Sequence, residues 1–256
     1  MKIGFDAKRF FHNSTGLGNY SRDLIRIMSC FYPQNNYLLY NPKPKSIDRI
    51  FIDGKIIVEK LFSRNRLFAN FWRLFFIKNQ FLNDKIDIFH GLSGEIPLGM
   101  KSLNIKTIVT IHDLIFLRYP KLYFFIDRII YFWKFRYAAK NADLVIAISE
   151  QTKQDIIDFL KISPSKITVI YQGCSAVFKE IATIEKLNLV QKKYQLPQKF
   201  ILNVGTIEER KNIFSVVKAI QNTDVKLVIV GKKTKYYQQI SAFLAEIGRA
   251  SCRERV

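Results

Sequence analysis

Short apolar runs alternate with segments of helical period along most of this chain, and that alternation leaves few architectures open. Residues 87–90 (DIFH), 106–111 (KTIVTI), 144–148 (LVIAI) and 167–171 (ITVIY) are near-continuous apolar runs. Strands buried on both faces of a parallel sheet read this way, whereas strands with one wet face alternate. Helical spacing is expected over 123–139 and again over 150–161, where Ser149 is a good N-cap for EQTKQDIIDFLK. Strand and helix in turn give an α/β fold with a parallel sheet wound by helices. The same pattern opens the chain: a strand over 2–7, a loop over 7–18 (AKRFFHNSTGLG), a helix over 19–31, then short strands at 37–40 and 55–58. A polar helical linker over 185–195 leads through Pro197 to a second unit with two strands, 200–204 and 226–230, each followed by a helix.

Residues 200–212, FILNVGTIEERKN, carry the most chemistry per residue. Phe200, Ile201, Leu202 and Val204 predict a strand buried on both faces. Gly205 lets the backbone turn and approach a ligand without a Cβ in the way. Apolar residues at Ile213, Val216, Val217 and Ile220 predict a helix, so Arg210 and Lys211 sit at its start. The N–H groups and positive dipole end there attract an anion already, and cations at that end are normally disfavoured. Two readings fit this stretch alone: a solvated basic turn, or a site for a strongly anionic ligand such as a diphosphate.

A formal net charge of +20 over 256 residues points to an anionic partner: nucleic acid, an anionic membrane face or a phosphorylated substrate. Cys30, Cys174 and Cys252 show no paired spacing and no His/Cys cluster, which indicates neither a disulfide framework nor a zinc site. The beginning, MKIGFDAKRF, runs straight into a strand, and no run of about 18 uncharged apolar residues occurs. A helix is expected over 62–82, with Phe68, Phe71, Trp72, Phe75 and Phe76 interleaved with Arg64, Arg66, Arg73 and Lys78. Such a helix suits a membrane interface, or packs its aromatics on the sheet.

The three histidines, His12, His90 and His112, are each expected just past the C-terminal end of a strand. Ligands of open α/β sheets bind along that edge. His112 has the best case for chemistry, since Asp113 follows it and is expected to orient it or cap the next turn. Gly16 and Gly18 resemble half of a dinucleotide fingerprint, but Ser21 stands where the third glycine belongs. No two aspartates are spaced Asp-x-Asp, the arrangement that holds a divalent ion on a diphosphate. Neutralising such a group would fall to Arg210 and Lys211.

Six collinear segments, TGLGNYSRDL, IFHGLSGEIPL, TIHDLIFLRYP, ADLVIAISEQTKQDI, ITVIYQGC and ILNVGTIEERKNI, together resemble the retaining GT-B glycosyltransferases called group 1, or family 4-like. The flavour of HDLIFLRYP is similar to the mannosyl- and related transferases of bacterial polysaccharide assembly. The resemblance implies two Rossmann-like domains, with an acceptor-side domain over 1–195 and a nucleotide-sugar domain beginning at 196–245. It implies that Gly16, Gly18, His90, Asp113 and Gly205 lie on the donor, that His112 contacts the transferred sugar, and that Arg210 and Lys211 bind the diphosphate. It also implies a GDP- or UDP-linked sugar as donor, a saccharide or lipid-linked acceptor, retention of configuration, no metal or other cofactor, and a cytoplasmic enzyme peripheral to an anionic membrane surface. A basic nucleic-acid-binding α/β protein remains the alternative. A nucleotide-binding oxidoreductase is disfavoured by the incomplete glycine motif.

Family members continue further, with a glutamate pair that grips the donor. Residues 246–256, EIGRASCRERV, resemble a translated sequencing adapter, so a truncated, inactive chain is the expectation.

Overall fold

The structure is a computed structural model that describes residues 1–43, 57–61, 72–73, 75–174 and 178–246. The chain divides into two compact units, Met1–Ser175 and Ala176–Val256.

In the first unit seven strands form one sheet: β1 (Lys2–Asp6), β2 (Asn36–Asn41), β3 (Ile57–Leu61), β4 (Ile88–Gly91), β5 (Lys106–Ile111), β6 (Leu144–Ala147) and β7 (Ile167–Val169). All pairings are parallel, in the order β3-β2-β1-β4-β5-β6-β7. The helices are α1 (Lys8–His12), α2 (Gly16–Phe31), α3 (Ile77–Asp84), α4 (Ile115–Arg118), α5 (Phe125–Asn141) and α6 (Glu150–Leu160). Strand parity sorts the apolar side chains into two cores. Tyr37 and Leu39 of β2 join Phe5, Phe10, Phe11 and Ile25, while Leu38 and Tyr40 join Phe81, Phe89 and Val109. Burial on both faces is why the strands read as unbroken apolar runs.

The strand order reverses at β1, which pairs with β2 on one side and β4 on the other. In doubly wound sheets that reversal opens a crevice beyond the carboxyl ends of the strands. Ser149 caps α6 as expected, its Oγ accepting from Thr152 N at 3.1 Å. The expected loop over 7–18 differs: residues 8–12 are the helix α1, because burying Phe10 and Phe11 under the sheet fixes a turn of helix there. The following helix starts at Gly16, three residues earlier than its apolar spacing announces. Of the helix expected over 62–82, residues 62–71 and 74 lie outside the described residues, and α3 accounts for its end.

The second unit holds α7 (Ile184–Tyr194), β8 (Ile201–Val204), α8 (Ile213–Ala219), β9 (Leu227–Val230) and α9 (Tyr236–Glu246). β8 and β9 pair in parallel, and Ile207, Ile213, Val217 and Ile240 form the buried core. The double-sided burial predicted for residues 200–204 is not found: Leu202 is 55% and Val204 71% exposed, since a two-stranded sheet has too little neighbouring surface to cover them.

Candidate active site at the carboxyl edge of the parallel sheet

At the ends of β4 and β5 the sequence places one polar side chain per strand in an otherwise apolar layer. His90, the third residue of β4, is fully buried, and its Nε2 shares a 2.8 Å hydrogen bond with Thr110 Oγ1 of β5. Tyr20, one turn into α2, reaches the same hydroxyl at 3.1 Å. His112 follows β5 directly, and the Tyr20 ring meets it edge-on with centroids 4.7 Å apart. His112 Nε2 donates to Leu92 O at 3.0 Å. On the other side Gln172, just past β7, donates its Nε2 to His112 Nδ1 at 2.9 Å. Thr152 Oγ1 donates to the His112 carbonyl at 3.0 Å. The ring is thereby fixed as the neutral Nε2–H tautomer, since the Leu92 carbonyl can only accept.

The electrostatics agree with that assignment. Burial pushes His90 down to about 3, with the neighbouring His112 ring adding to the effect. Burial also lowers His112, against the opposing pull of the Leu92 carbonyl and Asp113. Because the folded value for His90 is depressed, its stabilising contribution is complete above the unfolded value of 6.5 and is lost as pH falls towards 3. In a proton NMR titration His90 is expected to show no step between pH 8 and 5. Stability against unfolding is expected to drop by several kcal/mol on acidification from pH 6.5 towards 3, at about 1.4 kcal/mol for each step of one in pH. A His90 step near pH 6.5 would overturn the buried, neutral assignment.

Among the remaining predicted residues, Asp113 is exposed and accepts from Ile115 N at 3.3 Å, so it closes the turn into α4. His12 ends α1 rather than following β1, and its Nε2 lies 2.9 Å from Asn41 Oδ1. Gly16 and Gly18 form the first turn of α2, behind the N-cap Thr15. They differ in kind. A Cβ on Gly18 would lie 1.8 Å from Asn13 O, whereas a Cβ on Gly16 would meet nothing within 4 Å. Gly18→Ala is therefore expected to cost more than about 2 kcal/mol in unfolding stability, and Gly16→Ala nothing or a slight gain. Equal effects at the two positions would contradict the close approach at Gly18.

In the second unit Gly205 follows β8 with φ +151°, and its carbonyl oxygen would sit 1.7 Å from a Cβ on Gly231. Arg210 and Lys211 lie in a 3-10 turn, Glu209–Lys211, that ends at Asn212 in the left-handed region before α8. Arg210 Nη2 pairs with Glu208 Oε1 at 2.6 Å, and Lys211 is exposed. The pair does stand just ahead of a helix, with an acidic residue already engaged by one of its members.

One cluster is not foreshadowed in the sequence. Arg73 is buried between Asp6, at the end of β1, and Glu95, and Lys134 of α5 stands 3.4 Å from Glu95. Glu95 reaches this place because the turn after β4 folds back against Gly91, whose Cβ would lie 2.1 Å from Glu95 O. Tyr20, Thr110 and Gln172 also join the site without having been expected there. The available signal for Thr110 is a hydroxyl two residues before His112 in a buried strand, which puts both on one face.

A seven-stranded parallel sheet reversing at β1, with titratable groups on its carboxyl edge and a second parallel βαβ unit after it, has the GT-B architecture. Residues 37–176 match the family model for Glycosyltransferase Family 4, more than half of the chain, and the chain belongs to that family. The serotype-specific mannosyltransferase WbdA of Escherichia coli is 32% identical over 141 residues, 52% of this chain and 17% of WbdA. The O-antigen chain mannosyltransferase B of Escherichia coli is 26% identical over 236 residues, 86% of this chain and 60% of that protein. Among solved structures, Anabaena HepE in complex with UDP superposes with a TM-score of 0.67 at 14% identity, over 97% of this chain and 67% of that one. A glycosyltransferase from Rickettsia africae gives 0.64 at 16%, over 97% and 65%. At these identities the structural likeness concerns the fold. The chain thus spans less than two thirds of either curated relative.

Proposed function

We propose that this chain belongs to a nucleotide-sugar-dependent glycosyltransferase that moves mannose or a similar hexose onto a saccharide or lipid-linked acceptor during assembly of a cell-surface polysaccharide. The observation that carries the reading is the carboxyl edge of the seven-stranded sheet, where the hydrogen-bonded His90, Thr110 and Tyr20 meet the hydrogen-bonded His112 and Gln172 through the Tyr20–His112 ring contact, in a chain of this family. Named relatives that are mannosyltransferases, and a structural neighbour that holds UDP, support the same reading.

In this proposal the donor is GDP- or UDP-linked, and its diphosphate lies against Arg210 and Lys211, whose charge stabilises the departing nucleotide without a metal or other cofactor. His112 contacts the transferred sugar as a neutral ring, Gly16, Gly18, His90, Asp113 and Gly205 lie along the donor path, and configuration is retained. The enzyme works in the cytoplasm, peripheral to an anionic membrane surface. Among the described residues no helix is long and apolar enough to cross a membrane. With so open a second sheet, residues 1–256 purified as they stand are expected to show no turnover.

Isothermal calorimetry with GDP, UDP and short oligonucleotides tests the reading. A nucleoside diphosphate is expected to bind, with Arg210→Ala and Lys211→Ala together weakening it by about a hundredfold or more. Binding of oligonucleotides alone would hand the protein to the nucleic-acid alternative.

A further inference from the structure

A cavity of about 380 Å³ opens at the amino edge of the first sheet, the end away from His112. Three segments build its wall: residues 100–107 leading into β5, residues 141–143 leading into β6, and Lys166 just ahead of β7. Parallel pairing of β5, β6 and β7 sets these entries side by side, so residues far apart in sequence share one wall. The six residues of β5 separate this edge from the one that bears His112, a distance of roughly 20 Å.

The wall carries more positive charge than the protein offsets. Lys101, Lys106 and Lys166 line the cavity, and among the described residues Asp143 is the carboxylate on it, so three cations against one anion leave a formal +2. Asp143 is already engaged: Oδ2 accepts from Thr107 N at 2.7 Å, and Oδ1 lies 3.9 Å from Lys106 Nζ. Lys166 Nζ donates to Lys140 O, near the end of α5, at 2.7 Å. That bond holds the ammonium in place and leaves two of its N–H donors over. Burial lowers the pKa of Lys166, and Lys101 lowers it further, outweighing the opposing pull of Asp143. The field at Lys166 is therefore positive. An anion in the cavity would relieve it.

Charge and shape select the ligand. A phosphate monoester carries about −1.5 to −2 at pH 7 on three acceptor oxygens, which matches a formal +2, whereas a phosphodiester carries half as much. Met100, Ile105 and Ala142 are buried, and the cavity wall has no exposed apolar side chain to enter a lipid layer. We propose that this amino-edge cavity binds a soluble phosphate dianion, free or as the monoester of a small molecule, with Lys101 and Lys166 on its oxygens and Asn104 adding an amide. The site stands apart from the glycosyltransferase reading, since it uses neither His112 nor Arg210 and Lys211.

The test is isothermal calorimetry of the chain with inorganic phosphate, methyl phosphate and dimethyl phosphate at constant ionic strength, with amide chemical shifts followed alongside. Inorganic phosphate or methyl phosphate is expected to bind saturably, and the better of the two identifies the source. Dimethyl phosphate is expected to bind at least about tenfold more weakly, and the amides of Thr107 and Asp143 are expected to shift. Lys101→Glu changes an exposed side chain and spares the bond from Lys166 to α5. It is expected to weaken binding by about tenfold or more, as is Lys166→Met. The double variant Arg210→Ala, Lys211→Ala is expected to leave phosphate binding at this cavity unchanged, which tells its failure apart from failure of the diphosphate site proposed above. Unsaturable uptake, equal affinity for monoester and diester, or binding unaltered in Lys101→Glu overturns the proposal.

Discussion

Arg73→Leu is expected to lower the stability of the first unit by about 3–5 kcal/mol, read from urea unfolding of the wild type and the variant. The side chain of Arg73 is 7% exposed and lies between two carboxylates, Asp6 and Glu95, that are themselves largely buried. Removing it leaves two negative charges with Lys134 beside Glu95 and Lys8 near both carboxylates, too little to replace a buried guanidinium between them. Burial lowers the pKa of Arg73, but Asp6 and Glu95 outweigh this and hold it up. For Glu95 burial acts upward and is overcome by Arg73 and Lys134, so its folded pKa lies below the ordinary carboxylate value. The sign follows: Glu95 contributes stability above its unfolded pKa near 4.5, and that contribution is lost as pH falls through the lower folded value. The variant is expected to lose this acid limb along with its neutral-pH stability. A loss below about 1 kcal/mol would show that the cluster is solvated in solution and not a buried ion pair.

Native-state hydrogen exchange is expected to separate the two units by about two orders of magnitude or more. Amides of β1, β4 and β5 sit in the middle of a seven-stranded sheet, with cores on both faces. Protection there is expected to approach the global unfolding free energy, about 5 kcal/mol or more. Among the described residues β8 and β9 have one strand neighbour each and leave Leu202 and Val204 mostly in solvent over a core of four buried residues. A two-stranded sheet is marginal in water, so opening there is expected to cost roughly 2 kcal/mol or less. Equal protection in β5 and β8 would refute this ranking.

The sheet is legible in the sequence because residues 106–111 and 144–148 are buried on both faces, and burial of that kind writes itself into consecutive positions. β8 has the same apolar signature but not the same surroundings, since a run of side chains reports what a strand is suited to and not how many strands stand beside it. His112 is legible as a strand-end titratable residue. Its clamp is not: Leu92 and Gln172 lie 20 and 60 residues away, and only the parallel register brings their strand ends together. Arg73, 67 residues from Asp6, is invisible for the same reason. The helix α5 itself is legible, but which of its faces meets the core is not, because helical period marks which residues share a face without saying where that face is turned. The start of α2 is misplaced because Gly16 and Gly18 argue against helix by propensity, while the chain packs them there.

The first turn of α2 also bears on how this sequence can drift. Gly18 is dictated by the chain's own backbone, so a lineage that abandoned the reaction would still be obliged to retain it. Gly16 has no such internal reason, because a methyl group there has room and no unusual dihedral to satisfy. Among the described residues nothing packs against position 16 closely enough to require glycine there. On the donor path proposed above, a descendant carrying alanine at 16 and glycine at 18 would mark a fold kept after its ligand was given up.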